Sequence, residues 1–183
     1  VITSKEDLKY FLEADAARIS NGRKHPRLFQ DEVWRYEIIL RKREYYHNVK
    51  GFAHHLLERF YALRQHVLGV KLGFWVPINV CDAGLQINHY GLLIINGGAK
   101  IGKNFNVHQG VNIGQNIDAD DVPTIGDNVF CGPGVKIYGK IFIADNIAIA
   151  AGSVVTKSFN TPNITIGGVP ARVINPHRGN PFK

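Results

Sequence analysis

Apolar positions along the chain follow two different periods. Over residues 1–75 they recur at steps of three and four, the spacing of one face of an α-helix. Ser4 with Asp7 three positions on reads as a capping box, followed on one face by Leu8, Phe11, Leu12 and Ala16. The run from Asn21 to Pro26 breaks that helix. A second helix is predicted from Asp31, carrying Val33, Trp34, Ile38, Leu40 and Tyr45. A third is predicted over 52–68, with Phe52, Leu56, Phe60, Leu63 and Val67 in a single stripe expected to be core.

Beyond residue 76 the period becomes six. Ala83, Ile95, Ile101, Val107, Ile113, Ile125, Ile137, Ile143, Ile149 and Val155 fall in one phase, with His89 and Cys131 counted in the same series. The following residue is often small, as at Gly102, Gly114, Gly126, Gly132, Ala144 and Ala150. Val111, Val129, Val135, Ile141 and Ile147 form a second apolar series. Neither a 3.6-residue helix nor a two-residue alternation has this period. A chain that makes a short strand, turns, and repeats does: three hexads close one triangular coil, and coils stack by parallel pairing. The stretch 115–124 keeps the phase but not the pattern and holds three aspartates, so it reads as a loop thrown out from the coil, where function tends to sit. The expected division is a helical region over 1–75, a coil over 76–174 and a tail over 175–183.

Composition narrows the setting. No apolar run approaches the roughly 18–20 residues that cross a bilayer, and the first residues lack a signal-peptide pattern; a cytoplasmic protein is expected. Cys81 and Cys131 form no CxxC pair and read as buried free thiols. The net charge is +7, and residues 1–75 carry fourteen Lys and Arg against nine Asp and Glu. Bases alternate with acids, as in Arg41-Lys42-Arg43-Glu44, so a solvated helical face is expected in preference to contact with anionic lipid. No nucleic-acid motif is present, and no nucleic-acid partner is expected.

Four segments carry a resemblance: Asn88-His89-Tyr90-Gly91, Gln109-Gly110-Val111-Asn112-Ile113-Gly114, Ala151-Gly152-Ser153-Val154-Val155 and Gly168-Val169-Pro170-Ala171-Arg172-Val173-Ile174. Together, closing a hexad array, they resemble the hexapeptide-repeat acyltransferase family over roughly 77–174, and most closely its serine acetyltransferase branch. The His-Tyr-Gly form and the helices in front also resemble acetyltransferases of surface-polysaccharide synthesis. The resemblance implies a left-handed parallel β-helix, acetyl-CoA as co-substrate, no metal, and a homotrimer with active sites between subunits. It departs at three places. Asn88 stands where the branch has an acid. Asp121 and Val122 stand before Pro123 where the branch has an arginine and a histidine that help to hold serine. Phe74 stands where an aspartate is expected.

An alcohol becomes a good nucleophile only as a base takes its proton, and histidine suits that task near neutral pH. The resemblance gives that role to His89. His108, one residue after an inward aliphatic, reads equally as a second active-site histidine or a surface residue. The tetrahedral intermediate needs a donor for its oxyanion, most often a backbone N–H in a glycine-rich corner. The resemblance lays the pantetheine arm against Gly114, Gly134, Ala151 and Gly152, with Lys157 and Arg172 toward the nucleotide phosphates. Asn88, Asp118, Asp120 and Asp121 are candidate acceptor-binding residues, since carboxylates and amides grip hydroxyls. The nearest branch acetylates serine, while the departures point to a sugar hydroxyl; both acceptors stay open. Direct attack in a ternary complex is expected, with neither cysteine acylated. A zinc enzyme would need three converging histidines, and past His108 none occurs before His177. A non-catalytic trimeric scaffold is the alternative.

Overall fold

The computed structural model describes residues 1–182. Helices α1 (Lys5–Ile19), α2 (Glu32–Asn48) and α3 (Phe52–Leu72) come first. The capping box of α1 forms as expected: the Ser4 hydroxyl accepts from the Asp7 N–H, and the Asp7 carboxylate accepts from the Ser4 N–H. Trp34, Leu40 and Tyr45 of α2 are buried. Gly73, at φ +79 where a Cβ is disfavoured, ends α3.

Short strands follow: β1 (Phe74–Trp75), β2 (Gln86–Ile87), β3 (Leu93–Ile95), β4 (Lys100–Ile101), β5 (Asn106–Val107), β6 (Asn112–Gly114), β7 (Thr124–Ile125), β8 (Phe130–Cys131), β9 (Lys136–Tyr138), β10 (Phe142–Ile143), β11 (Ala148–Ile149), β12 (Val154–Val155), β13 (Thr165–Gly167) and β14 (Arg172–Asn175). They form three sheets, ordered β1-β3-β6-β9-β12, β10-β7-β4 and β14-β13-β11-β8-β5-β2. Every pairing is parallel except that of β13 with β14. The chain visits the first, second and third sheet in turn and repeats, which makes a three-sided coil. Ile95, Ile113, Ile137 and Val155 lie fully buried along the first sheet, and Val107, Cys131 and Ile149 along the third. The last strand turns back antiparallel, and the tail returns with it: Asn180 is buried, donating to the Asn146 and Asn128 carbonyls.

The hexad count slips in the first coil. Ile87, not His89, is the inward residue, pairing with Val107 twenty positions on. Eight residues separate Ile87 from Ile95, so the corner between them holds two more than a hexad allows. His89 is therefore lifted out of the interior and exposed. Ala83 is buried for another reason, packing with Ile2, Phe11 and Tyr45 of the helical region.

Two further expectations fail. The stripe on α3 is not core: from Phe60 at 49% to Phe52 at 82%, its side chains face outward. The charged run on α2 is not a solvated face, because Arg41 and Glu44 are buried. The reason lies at the open end of the coil, where the first turn has no preceding turn to pair with and its backbone groups would be orphaned. Helix side chains take their place. Asp15 accepts from the N–H groups of Gly84 and Leu85, Glu37 from Ile87, and Glu44 from Asn79. Arg41 donates to the carbonyls of Cys81 and Asp82 while bridging Asp15 at 2.7 Å and Glu44 at 3.0 Å. Gln65 donates to the Val76 carbonyl.

Candidate active site

The corner where the chain passes from the third sheet to the first carries most of the expected chemistry. His89 sits there in the first coil and His108 in the second. Their ring centroids are 5.6 Å apart, with the rings tilted at 59°. His108 packs in turn on Phe130 at 5.4 Å, and Phe130 on Phe182 of the returning tail at 5.0 Å. One aromatic column thus runs down the outside of the coil with His89 at its exposed head.

His108 is half-buried. Burial first, and then the neighbouring His89, push its pKa below the ordinary histidine value. Burial thus favours the neutral form of His108. The Oε1 atom of Gln109 is buried without a hydrogen-bond partner.

Beside the histidines the same corner is lined with glycine. Gly110 and Gly134 have φ of +78° and +75°. A Cβ on Gly110 would stand 3.2 Å from the Cα of Gly134, so the two coils approach backbone to backbone. Ala151 and Gly152 are exposed one coil further on, and Arg172 is exposed at the foot, paired with Gly167. This bare corner can receive an extended, narrow chain such as a pantetheine arm. The N–H groups of Gly110, Gly134 and Gly152 are all spent within the coil, on Leu92, Gln109 and Pro133. The oxyanion donor expected in a glycine corner is therefore none of these three.

Asn88 is less free than expected. Its Nδ2 donates to Asn106 Oδ1 at 2.5 Å and to the Val107 carbonyl, and its Oδ1 accepts from Gln86. The amide braces the two coils on the strand leading into His89.

The remaining residues lie at a different corner, between the first sheet and the second. Gly114 ends β6 there, and the loop after it forms as expected, with the Asn116 N–H bonded to the Asp121 carbonyl. Asp118 and Asp120 are exposed and Asp121 is half-buried. Lys157 follows β12 at the same corner, its ammonium 5.6 Å from the centroid of Phe159. One chain does not bring the acidic loop or Lys157 to the corner of His89.

Both cysteines are buried. Burial pushes the Cys81 thiol up to about 12 and raises Cys131 likewise, so neither is a ready nucleophile. Among the described residues no cluster of three His, Cys, Asp or Glu side chains could hold a metal. Sequence reading missed Phe130, Phe182 and Gln109 at the histidine corner. The signal for Phe130 was its place one residue before the inward Cys131; none marked Phe182.

The architecture is that of the serine acetyltransferases, hexapeptide-repeat transferases of known structure. The chain is similar to the crystal structure of serine acetyltransferase from Brucella abortus strain S19, at 25% identity and TM-score 0.71 over 95% of this chain and 69% of that one. It is similar to the serine O-acetyltransferase of Brucella melitensis at 26% identity and TM-score 0.70, with the same coverage. The Brucella abortus enzyme in complex with coenzyme A shares the fold at 24% identity and TM-score 0.70, over 96% of this chain and 70% of that one. No protein-family model matches the chain. No curated protein matches its sequence.

Proposed function

We propose that this chain is an acetyl-CoA-dependent O-acetyltransferase on a left-handed parallel β-helix, with His89 as its base. The reading is carried by one observation: the exposed His89, packed on the half-buried His108, heads a corner of bare glycine backbone. A coenzyme A complex among the structural neighbours supports the co-substrate. In the reaction His89 takes the proton of an acceptor hydroxyl as its oxygen bonds to the thioester carbon. The tetrahedral intermediate then collapses with loss of the C–S bond, and the imidazolium returns the proton to the departing thiolate. Both proton transfers need an imidazole that can reach oxygen and sulfur in turn.

The acceptor is a small polar alcohol, either a sugar of a surface-polysaccharide precursor or L-serine. The candidate residues are divided between two corners, His89, Gly134 and Gly152 at one, Asp118, Asp120, Asp121 and Lys157 at the other. A homotrimer in which adjacent subunits face these corners toward each other reunites them, with the acidic loop of one subunit over the histidines of the next. A monomer by light scattering would remove that shared site.

The deciding experiment is thiol release from acetyl-CoA with L-serine, free sugars and nucleotide sugars as acceptors. Release with serine assigns the acceptor to the amino acid; release with a sugar alone assigns it to polysaccharide modification. No release and no coenzyme A binding would leave a non-catalytic scaffold.

A further inference from the structure

The outer face of α3 is an unpartnered apolar seam. Leu56, Phe60, Leu63, Val67 and Val70 recur at alternating steps of four and three, and all are exposed. The opposite side of the helix, through Glu58, Gln65 and Leu72, is turned inward: Glu58 and Gln65 bond Arg43 of α2, and Leu72 is buried in the main core. The seam is extended at one end by Phe52, 82% exposed, and at the other by Trp75, 63% exposed, which lines one cleft together with Val70.

Charge selects the occupant. The seam is flanked on one side by Arg59 and His66 and on the other by Arg64 and Lys71, all exposed. The single acid of the helix, Glu58, faces inward on Arg43, and among the described residues none of the three flanking cations pairs with a carboxylate. The spacing is that of a coiled-coil seam, yet self-pairing is opposed in either direction. Parallel pairing would set Arg59 against Arg64 and His66 against Lys71 of a second copy. Antiparallel pairing would set Arg59 against His66 and Arg64 against Leu57, or His66 and Arg64 each against its own copy, according to register. No flanking pair joins opposite charges.

We propose that this face of α3 lies in the interfacial layer of a bilayer rich in anionic lipid headgroups. The helix has 21 residues, so it offers a contact about 30 Å long. No described helix is long and apolar enough to cross a membrane, so α3 lies in the plane. Its apolar seam enters the headgroup boundary, and its cations reach the phosphates. Arg64 holds its guanidinium beside the seam, 5.6 Å from the Phe60 ring centroid. A tryptophan and a phenylalanine at the two ends suit the same boundary. The inference is independent of the proposed activity.

The test is flotation of the full chain with vesicles of phosphatidylcholine alone and of phosphatidylcholine mixed with anionic phosphatidylglycerol. Binding at least tenfold stronger to the anionic vesicles and weakened by salt is expected. Leu63→Glu and the pair Arg59→Glu with Arg64→Glu should each abolish it, with circular dichroism and thermal unfolding unchanged because these side chains are exposed. Equal binding to both vesicles, or none, would overturn the proposal. So would a Leu63→Glu chain of smaller assembly by sedimentation equilibrium, which would give the seam to a second copy. Capture of an acidic protein partner in place of vesicles would overturn it as well.

Discussion

Replacing Glu37 with glutamine should make the protein more stable relative to the wild type as pH rises. Glu37 is buried, with Oε1 accepting from the Ile87 N–H and Oε2 without a partner. Around it three carboxylates, those of Asp15, Glu37 and Glu44, share one guanidinium, and that guanidinium bonds Asp15 and Glu44. Burial first, and then the Asp15 charge, raise the Glu37 carboxyl well above its ordinary 4.5, against the Ile87 hydrogen bond and Arg41. The folded chain thus keeps a proton that the unfolded chain gives up above pH 4.5. Wild-type stability therefore falls with rising pH through the interval between the two pKa values, by about 1.4 kcal/mol per unit. Glutamine keeps an acceptor for Ile87 and has no proton to lose. As pH rises above 4.5 its stability relative to wild type should increase, read from urea unfolding at fixed protein concentration. Parallel curves for the two proteins would show an ionised Glu37 and refute the reasoning.

Arg41→Met should cost about 3–5 kcal/mol in the same unfolding assay, because it strands buried Asp15 and Glu44 and frees two carbonyls of the first coil. Gly110→Ala should cost more than Gly134→Ala. Both force an L-residue to positive φ at about 1–2 kcal/mol, but only the first meets backbone at 3.2 Å, the second having 3.8 Å. By NMR titration His108 should lose its proton below the ordinary histidine range, and it should move upward in His89→Ala as one of its two depressing causes is removed. No upward shift would mean that the rings do not sense each other.

The interior of the coil was legible from Ile95 onward because the six-residue period holds there: Ile95, Ile113, Ile137 and Val155 all point inward. The position of His89 was misjudged by counting alone. Ala83, His89 and Ile95 are six apart, yet the true series runs Cys81, Ile87, Ile95, and the two-residue excess that exposes the histidine leaves no mark in spacing. The helices misled in opposite senses. On α3 an apolar stripe at helical spacing faces outward, since burial depends on what the tertiary fold brings to it. On α2 the charges of Glu37, Arg41 and Glu44 lie at steps of four and three, one helical face, and serve the unpaired backbone of the first coil. That spacing was readable, but its purpose depends on an edge that only the fold creates. The acidic loop was found as a loop, while its corner followed from the order in which the chain visits the sheets.

The most direct measurement of the central claim is turnover and coenzyme A affinity in a single variant, His89→Ala, with the acceptor the panel identifies. The account predicts that kcat falls by about 10²–10⁴ while the Kd for coenzyme A stays within a factor of two or so, since the corner proposed for the pantetheine arm is backbone below the histidine. Turnover close to wild type, with binding intact, would contradict it and move the base elsewhere.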